Sequence, residues 1–102
     1  MSVIMVRSTV KPECVDEAEV AVKEMFAAIA EAAPNGIRYA AGKVGDGNAF
    51  FALLEVEDGV DNPLPALPAF VAFQSKLGQW IAEPPTPAPL TVLGSYRLFD
   101  AV

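Results

Sequence analysis

Between Ala49 and Val56 the chain reads Ala-Phe-Phe-Ala-Leu-Leu-Glu-Val, apolar at every position but Glu55. Gly45-Asp46-Gly47-Asn48 precedes this run and Glu57-Asp58-Gly59 follows it. A short apolar run between turn signals predicts a strand covered on both faces. Alternation places Phe50, Ala52, Leu54 and Val56 on one face and Phe51, Leu53 and Glu55 on the other.

The remaining elements follow from the same reading. Ser2 to Val10 alternates imperfectly, is rich in β-branched residues and predicts a first strand. From Val15 to Ala33, Val15, Ala18, Val22, Met25, Phe26 and Ile29 recur at helical spacing, and Pro34-Asn35-Gly36 stops the helix. Ile37 to Val44 is a second strand, joined to Ala49–Val56 as a hairpin. A proline-rich connection from Gly59 to Pro68 leaves room for a short helical turn. The second helix then runs to Ala82, with Phe70, Phe73, Leu77, Trp80 and Ile81 as its stripe. Glu83 to Pro89 holds Pro84, Pro85, Pro87 and Pro89 and reads as a stiff extended connector, neither helix nor central strand. Leu90 to Phe99 is expected to be the last strand.

The order β-α-β-β-α-β predicts a single α+β domain over residues 1–102. Its class is ferredoxin-like, a four-stranded antiparallel sheet with two helices on one face. The first and third strands become central neighbours. Two helices cover only one sheet face, so the other apolar face is expected to meet a second copy, sheet to sheet, in a homodimeric α/β barrel.

Composition narrows the function. Hydrophobic residues make up 53% of the 102 residues and charged residues 20%, enough for one packed domain. The net charge of −6 opposes binding to nucleic acid and to anionic membrane surfaces. No apolar run is long enough to span a bilayer. Cys14 is the single cysteine, so no intrachain disulfide forms, and with no export signal the expected location is cytoplasmic. The chain has no histidine, which excludes a Ser-His-Asp triad, a Cys-His pair, histidine-held zinc and a proximal haem ligand. Gly42, Gly45 and Gly47 lack phosphate-loop spacing and suit a hairpin turn. No metal, flavin or nucleotide cofactor is expected.

Glu55 is the candidate catalytic base, a carboxylate in the most apolar strand; the alternatives are that it pairs with Arg7 or reaches solvent. Tyr39, Trp80 and Tyr96 are candidates to line a substrate pocket, or else an aromatic core with polar tips. Phe70 and Phe73 are core or pocket wall, and Arg7 joins the substrate-binding set. Arg38 and Arg97 suit an anion clamp or ordinary ion pairs. Cys14 is a reactive or an incidental thiol.

Taken in order, four features carry a resemblance: Lys11-Pro12 after the first strand, the Pro34-Asn35-Gly36 stop, Leu54-Glu55-Val56-Glu57-Asp58, and Ala82-Glu83-Pro84-Pro85 after an aromatic helix. The chain resembles the dimeric α/β-barrel proteins of the antibiotic biosynthesis monooxygenase type over nearly its whole length. The resemblance implies two paired ferredoxin-like sheets and, for several members, cofactor-free oxidation of aromatic polyketide-like substrates by oxygen; others degrade haem. The chain departs from the pattern at Asp61–Gln74, which lacks the usual histidine, and at Glu57, where an aromatic often stands. Haem-degrading members use an Asn, Trp and His set, and here Arg7 and Ser8 occupy the first-strand region. Two functions are therefore carried forward. One is a cofactor-independent monooxygenase acting on an apolar or aromatic small molecule. The alternative is a non-catalytic barrel that binds a small ligand or a partner protein.

Overall fold

A computed structural model describes residues 2–98. In chain order they form strand β1 (Ser2–Val10), helix α1 (Val15–Ala32), β2 (Ile37–Lys43), β3 (Ala49–Val56), α2 (Pro68–Trp80) and β4 (Ile81–Pro89). Short 3-10 turns occupy Pro12–Cys14 and Leu64–Ala66. The strands pair antiparallel in the order β2-β3-β1-β4, the ferredoxin-like arrangement with β1 and β3 central.

Local chemistry sets the element ends. α1 stops at Ala33, whose left-handed backbone (φ 47°) aims its N–H at the Ile29 carbonyl (2.9 Å) before Pro34 bars another turn. The hairpin closes where the Val44 N–H donates to the Ala49 carbonyl at 2.9 Å. Asn48 extends the β1–β3 ladder past its last pair. Its backbone carbonyl accepts from Val10 N–H (2.9 Å) and its side-chain amide donates to the Val10 carbonyl (2.7 Å).

The two helices sit differently on the sheet. α1 buries Ala18, Ala21, Met25 and Ile29, and Met25 and Ile29 join Leu64 in a core cluster. Leu64 is 1% exposed and Val10 fully buried. Each such side chain contributes about 1.5–3 kcal/mol by leaving water. α2 buries no residue completely. Its stripe of Phe70, Phe73 and Leu77 is half-buried: Phe70 and Phe73 pack against the core cluster, and all three border a cavity.

The last strand is not where the sequence pattern put it. Ile81–Pro89 pairs with β1, whereas Leu90–Leu98 forms no strand, and Phe99 lies outside the described residues. Proline was expected to keep this segment out of the sheet. The register explains its admission. Leu90 N–H donates to the Val3 carbonyl at 2.8 Å, and Ala88 and Thr86 stand opposite Met5 and Arg7. The two-residue repeat therefore turns Thr86, Ala88 and Leu90 toward β1 and Pro85, Pro87 and Pro89 outward. The missing amides fall on the solvent side of an edge strand, where proline is allowed. Pro84 breaks this parity, and the pairing shifts register between Arg7 and Thr9, opposite that region.

The register makes a testable asymmetry. Pro87→Ala should change stability by no more than ~0.5 kcal/mol. Ala88→Pro, one residue on, should cost about 1–3 kcal/mol through an orphaned carbonyl on β1. Chemical denaturation of both variants checks it.

Candidate functional site

The pleat sends Ile4, Val6, Ser8 and Val10 of β1, and Phe50, Ala52 and Leu54 of β3, toward the helices. Above them, α1 buries four residues and α2 none, and Ala18, Val22 and Met25 of α1 wall one side of the gap between them. The gap is a cavity of about 340 Å³, roofed by Phe70, Phe73, Gln74 and Leu77 and reached by Tyr39 and Ala41 of β2. That volume is in the range of small-molecule sites.

The lining is chemically simple. Of the side chains around the cavity, Tyr39 is the one that can ionise; Ser8, Asn62 and Gln74 supply the remaining polar groups. The Tyr39 ring stacks on Phe26 (centroids 5.0 Å apart, 25° between planes) and meets Phe70 edge-on at 6.5 Å. Among the described residues no protein group hydrogen-bonds its hydroxyl. Burial pushes the Tyr39 phenol up from its ordinary value, so at neutral pH it is a hydrogen-bond donor and not a base. Asn62 is exposed at the rim. Its Oδ1 accepts from Leu64 N–H at 3.0 Å, which fixes the side chain at the start of the 3-10 turn and leaves its amide hydrogens for another partner.

Tyr39, Phe70 and Phe73 are thus brought together at the cavity. Glu55, Arg7, Trp80 and Tyr96 do not line it. Leu54 faces the cavity, so the pleat carries Glu55 to the opposite sheet face. There Glu55 is 3% exposed and accepts from Arg38 Nη1 at 2.8 Å, while its Oε2 is buried with no hydrogen-bond partner. Pairing with Arg7 is corrected: register puts Arg38 directly opposite Glu55, while Arg7 stands opposite Phe51 and Thr86. Trp80 is half-buried at the end of α2, where its carbonyl accepts from Lys11 N–H at 2.8 Å. Tyr96 is 81% exposed, with Arg97 over its ring at 5.2 Å. Cys14 is half-buried at the N-cap of α1.

Ser8, Asn62 and Gln74 escaped the sequence reading as candidates for the cavity. The available signal was weak: Gln74 follows Phe70 by four residues on one helical face, and Asn62-Pro63 reads as a turn. On the outside, Lys43 pairs with Glu19 and ties the end of β2 to α1. The pairing holds the Glu19 carboxyl below its usual range and raises the Lys43 ammonium. Among the described residues no helix is long and apolar enough to cross a membrane.

No family model and no curated protein matches the chain. Solved structures do. One named for antibiotic biosynthesis monooxygenase, from Nitrosomonas europaea, aligns over 92% of this chain and 100% of its own, with a TM-score of 0.73 and 18% identity. A similarly named protein from Bacteriodes thetaiotaomicron aligns over 90% of this chain and 89% of its own (TM-score 0.76, 17% identity). SnoaB of Streptomyces nogalater, a cofactor-independent oxygenase, aligns over 94% of this chain and 96% of its own (TM-score 0.69, 16% identity). The fold is that of the antibiotic biosynthesis monooxygenase-like proteins. Within that fold the order of strands and the placement of both helices on one sheet face agree with the pattern the sequence predicts.

Two predictions test this electrostatic picture. An unfolded tyrosine loses its proton near pH ~10, and the raised Tyr39 phenol holds on longer in the folded state. The contribution is thus complete below that pH and is lost as pH rises through the folded-state value. Denaturant midpoints should fall above pH ~10, and Tyr39→Phe should flatten that fall. Separately, Arg38→Met strips the cation from the buried Glu55 carboxylate and should cost about 3 kcal/mol. Adding Glu55→Leu should recover part of the loss in a double-mutant cycle read by thermal melts.

Proposed function

We propose that the chain is a homodimeric α/β-barrel protein whose sheet–helix cavity takes a flat, uncharged, largely apolar molecule, and that it acts there as a cofactor-independent monooxygenase. The observation that carries the reading is the cavity itself: about 340 Å³, aromatic on its roof, with Tyr39 as its one ionisable side chain. A charged ligand would lose its hydration there without gaining a counter-charge. Such a lining suits a polycyclic phenol or a related ketone, with the Tyr39 hydroxyl and the Asn62 amide as donors to its oxygen.

The chemistry that fits needs little from the protein. A reduced polycyclic substrate with an acidic methylene gives up a proton, and the resulting anion delivers its own electrons to oxygen. The methylene becomes a carbonyl with one oxygen atom, and the other leaves as water. Neither the cavity nor this balance requires a redox cofactor. The donors from Tyr39 and Asn62 would steady the developing negative charge on the substrate oxygen. With no carboxylate in the lining, the base is water or buffer, and Glu55 is left to its ion pair with Arg38.

The dimer follows from the other sheet face. Met5, Phe51, Leu53 and Ala40 share it, beside a Val3 that the chain itself already buries, and the ring of Phe51 lies over Gly42, where a Cβ would come within 2.9 Å. A face of this character can supply the ~800 Å² per partner of a standard interface. SnoaB, with the same fold, is a cofactor-independent oxygenase, which supports the activity.

Oxygen uptake with reduced polycyclic phenols in chelator-treated, cofactor-free buffer is the test. Turnover is expected, falling about 10-fold or more in Tyr39→Phe with the fold intact. Tight binding of the same compounds without oxygen uptake would favour the non-catalytic ligand-binding barrel.

A further inference from the structure

Four polar side chains border the cavity among the described residues: Ser8, Tyr39, Asn62 and Gln74. The sheet register spreads them out. Tyr39 stands opposite Leu54, which stands opposite Ile4. Ser8 stands opposite Phe50, which stands opposite Lys43. From the Tyr39 row to the Ser8 row is four residues along the strands and, from β2 to β1, two strand spacings across. At about 3.3 Å per residue and about 4.8 Å per spacing, the two Cα atoms lie about 16 Å apart. Tyr39 and Ser8 therefore occupy diagonally opposite corners of the cavity floor.

The other two groups divide between these corners. Asn62 is fixed to Leu64 through its Oδ1, and Leu64 belongs to the core cluster against which Tyr39 packs. α2 starts at that end, where Phe70 meets the Tyr39 ring. It finishes where the Trp80 carbonyl accepts from Lys11 N–H, just past the end of β1. The helix thus runs from the Tyr39 corner toward the Ser8 end. Gln74 lies one turn beyond Phe70, about 6 Å nearer to that end.

Ser8 is half-buried and Gln74 stands exposed at the rim. Among the described residues neither side chain has a hydrogen-bond partner in the protein. β1 turns Ile4, Val6, Ser8 and Val10 inward, so Ser8 interrupts an otherwise aliphatic face. A hydroxyl in that row adds little to packing, and it gains a role when a molecule in the cavity bonds to it.

We infer that Ser8 and Gln74 form a second polar end of the cavity, and that its ligand is an elongated, uncharged molecule with an oxygen function at each end. This rests on the cavity reading proposed above and narrows its substrate class. A hydrogen bond at each end takes up about 3 Å, so the ligand's two oxygens stand about 10 Å apart. The ends differ in what they accept. Tyr39 and the Asn62 amide offer hydrogens, so the oxygen that gains negative charge belongs there. A serine hydroxyl and a glutamine amide each donate and accept, so the far oxygen is a hydroxyl or a carbonyl. Ser8 and Gln74 determine specificity by holding the end that does not react, which decides which way round the molecule lies.

The experiment compares 2-hydroxyanthracene with 2,6-dihydroxyanthracene, which share one ring frame and differ in the second oxygen. Both fluoresce, so titration of the full chain reads affinity directly. The dihydroxy compound should bind about 5- to 10-fold more tightly. Ser8→Ala and Gln74→Met should each remove most of that advantage and leave the affinity for 2-hydroxyanthracene within about 2-fold. Tyr39→Phe should weaken both compounds alike. Equal affinity of the unaltered chain for the two compounds overturns the inference, needs no variant to fold, and leaves the cavity reading standing. Ser8 and Gln74 variants that weaken both compounds alike assign the pair a structural part and overturn it too. Binding of 2-naphthol but of neither anthracene overturns the inference alone; binding of none of the three contradicts the cavity reading with it.

Discussion

The structure depends on how loosely α2 is held. α1 buries Ala18, Ala21, Met25 and Ile29, and its Ala18, Val22 and Met25 form one wall of the cavity. α2 has aromatic bulk at Phe70 and Phe73 but buries no residue, because Leu64 already fills the corner against Met25 and Ile29 and the short turn at Leu64–Ala66 sets the height at which the helix starts. A helix propped at one end, over strands whose inward residues include Ser8, Ala41 and Ala52, cannot close onto the sheet. Ser8, Ala41 and Ala52 leave room among the larger Ile4, Tyr39, Phe50 and Leu54 of the sheet, and Phe70 and Phe73 close the cavity from above. Its apolar lining keeps Tyr39 protonated, which decides what the site can do.

That protonation state matters for chemistry as much as for shape. A cavity without an ionised side chain cannot hold a charged substrate well and cannot abstract a proton with a carboxylate. It can orient a flat molecule by stacking and present hydroxyl and amide donors to one oxygen atom. Electrostatic interactions elsewhere are structural. Arg38 and Glu55 pair across β2 and β3 on the far face, and Lys43 and Glu19 tie a strand end to a helix, exposed enough for salt to weaken it.

Much of the fold was legible in the sequence because the signals were local. The run Ala49–Val56, the stripe from Val15 to Ile29 and the Pro34-Asn35-Gly36 stop each state their structure within one element. The last strand was not legible, because the same prolines that forbid a central strand permit an edge strand in one of two registers, and register is a property of two strands at once. Leu90–Leu98 has the residues of a strand and lacks a neighbour. Glu55 illustrates the same limit at the site. Alternation gave its face correctly, but only the pairing of β2 with β3 brings Arg38, and not Arg7, to it. Tyr39, Phe70 and Phe73 converge because Tyr39 stands opposite Leu54 on the face that meets the helices, a choice that two apolar faces on β3 left open in the sequence. That the helices would leave room there depends on the height of α2, which no local pattern encodes.

The central claim is that the space under α2 is a binding site for a neutral, flat molecule. A methyl-resolved NMR titration with uncharged 2-naphthol tests it most directly, because methyl groups report from both sheet faces at once. The account predicts shifts at Ala41, Ala52, Leu54 and Leu77, with Tyr39→Phe weakening the apparent affinity, and little change at Met5 or Leu53. Shifts confined to Met5 and Leu53, or none up to the solubility limit, would contradict it.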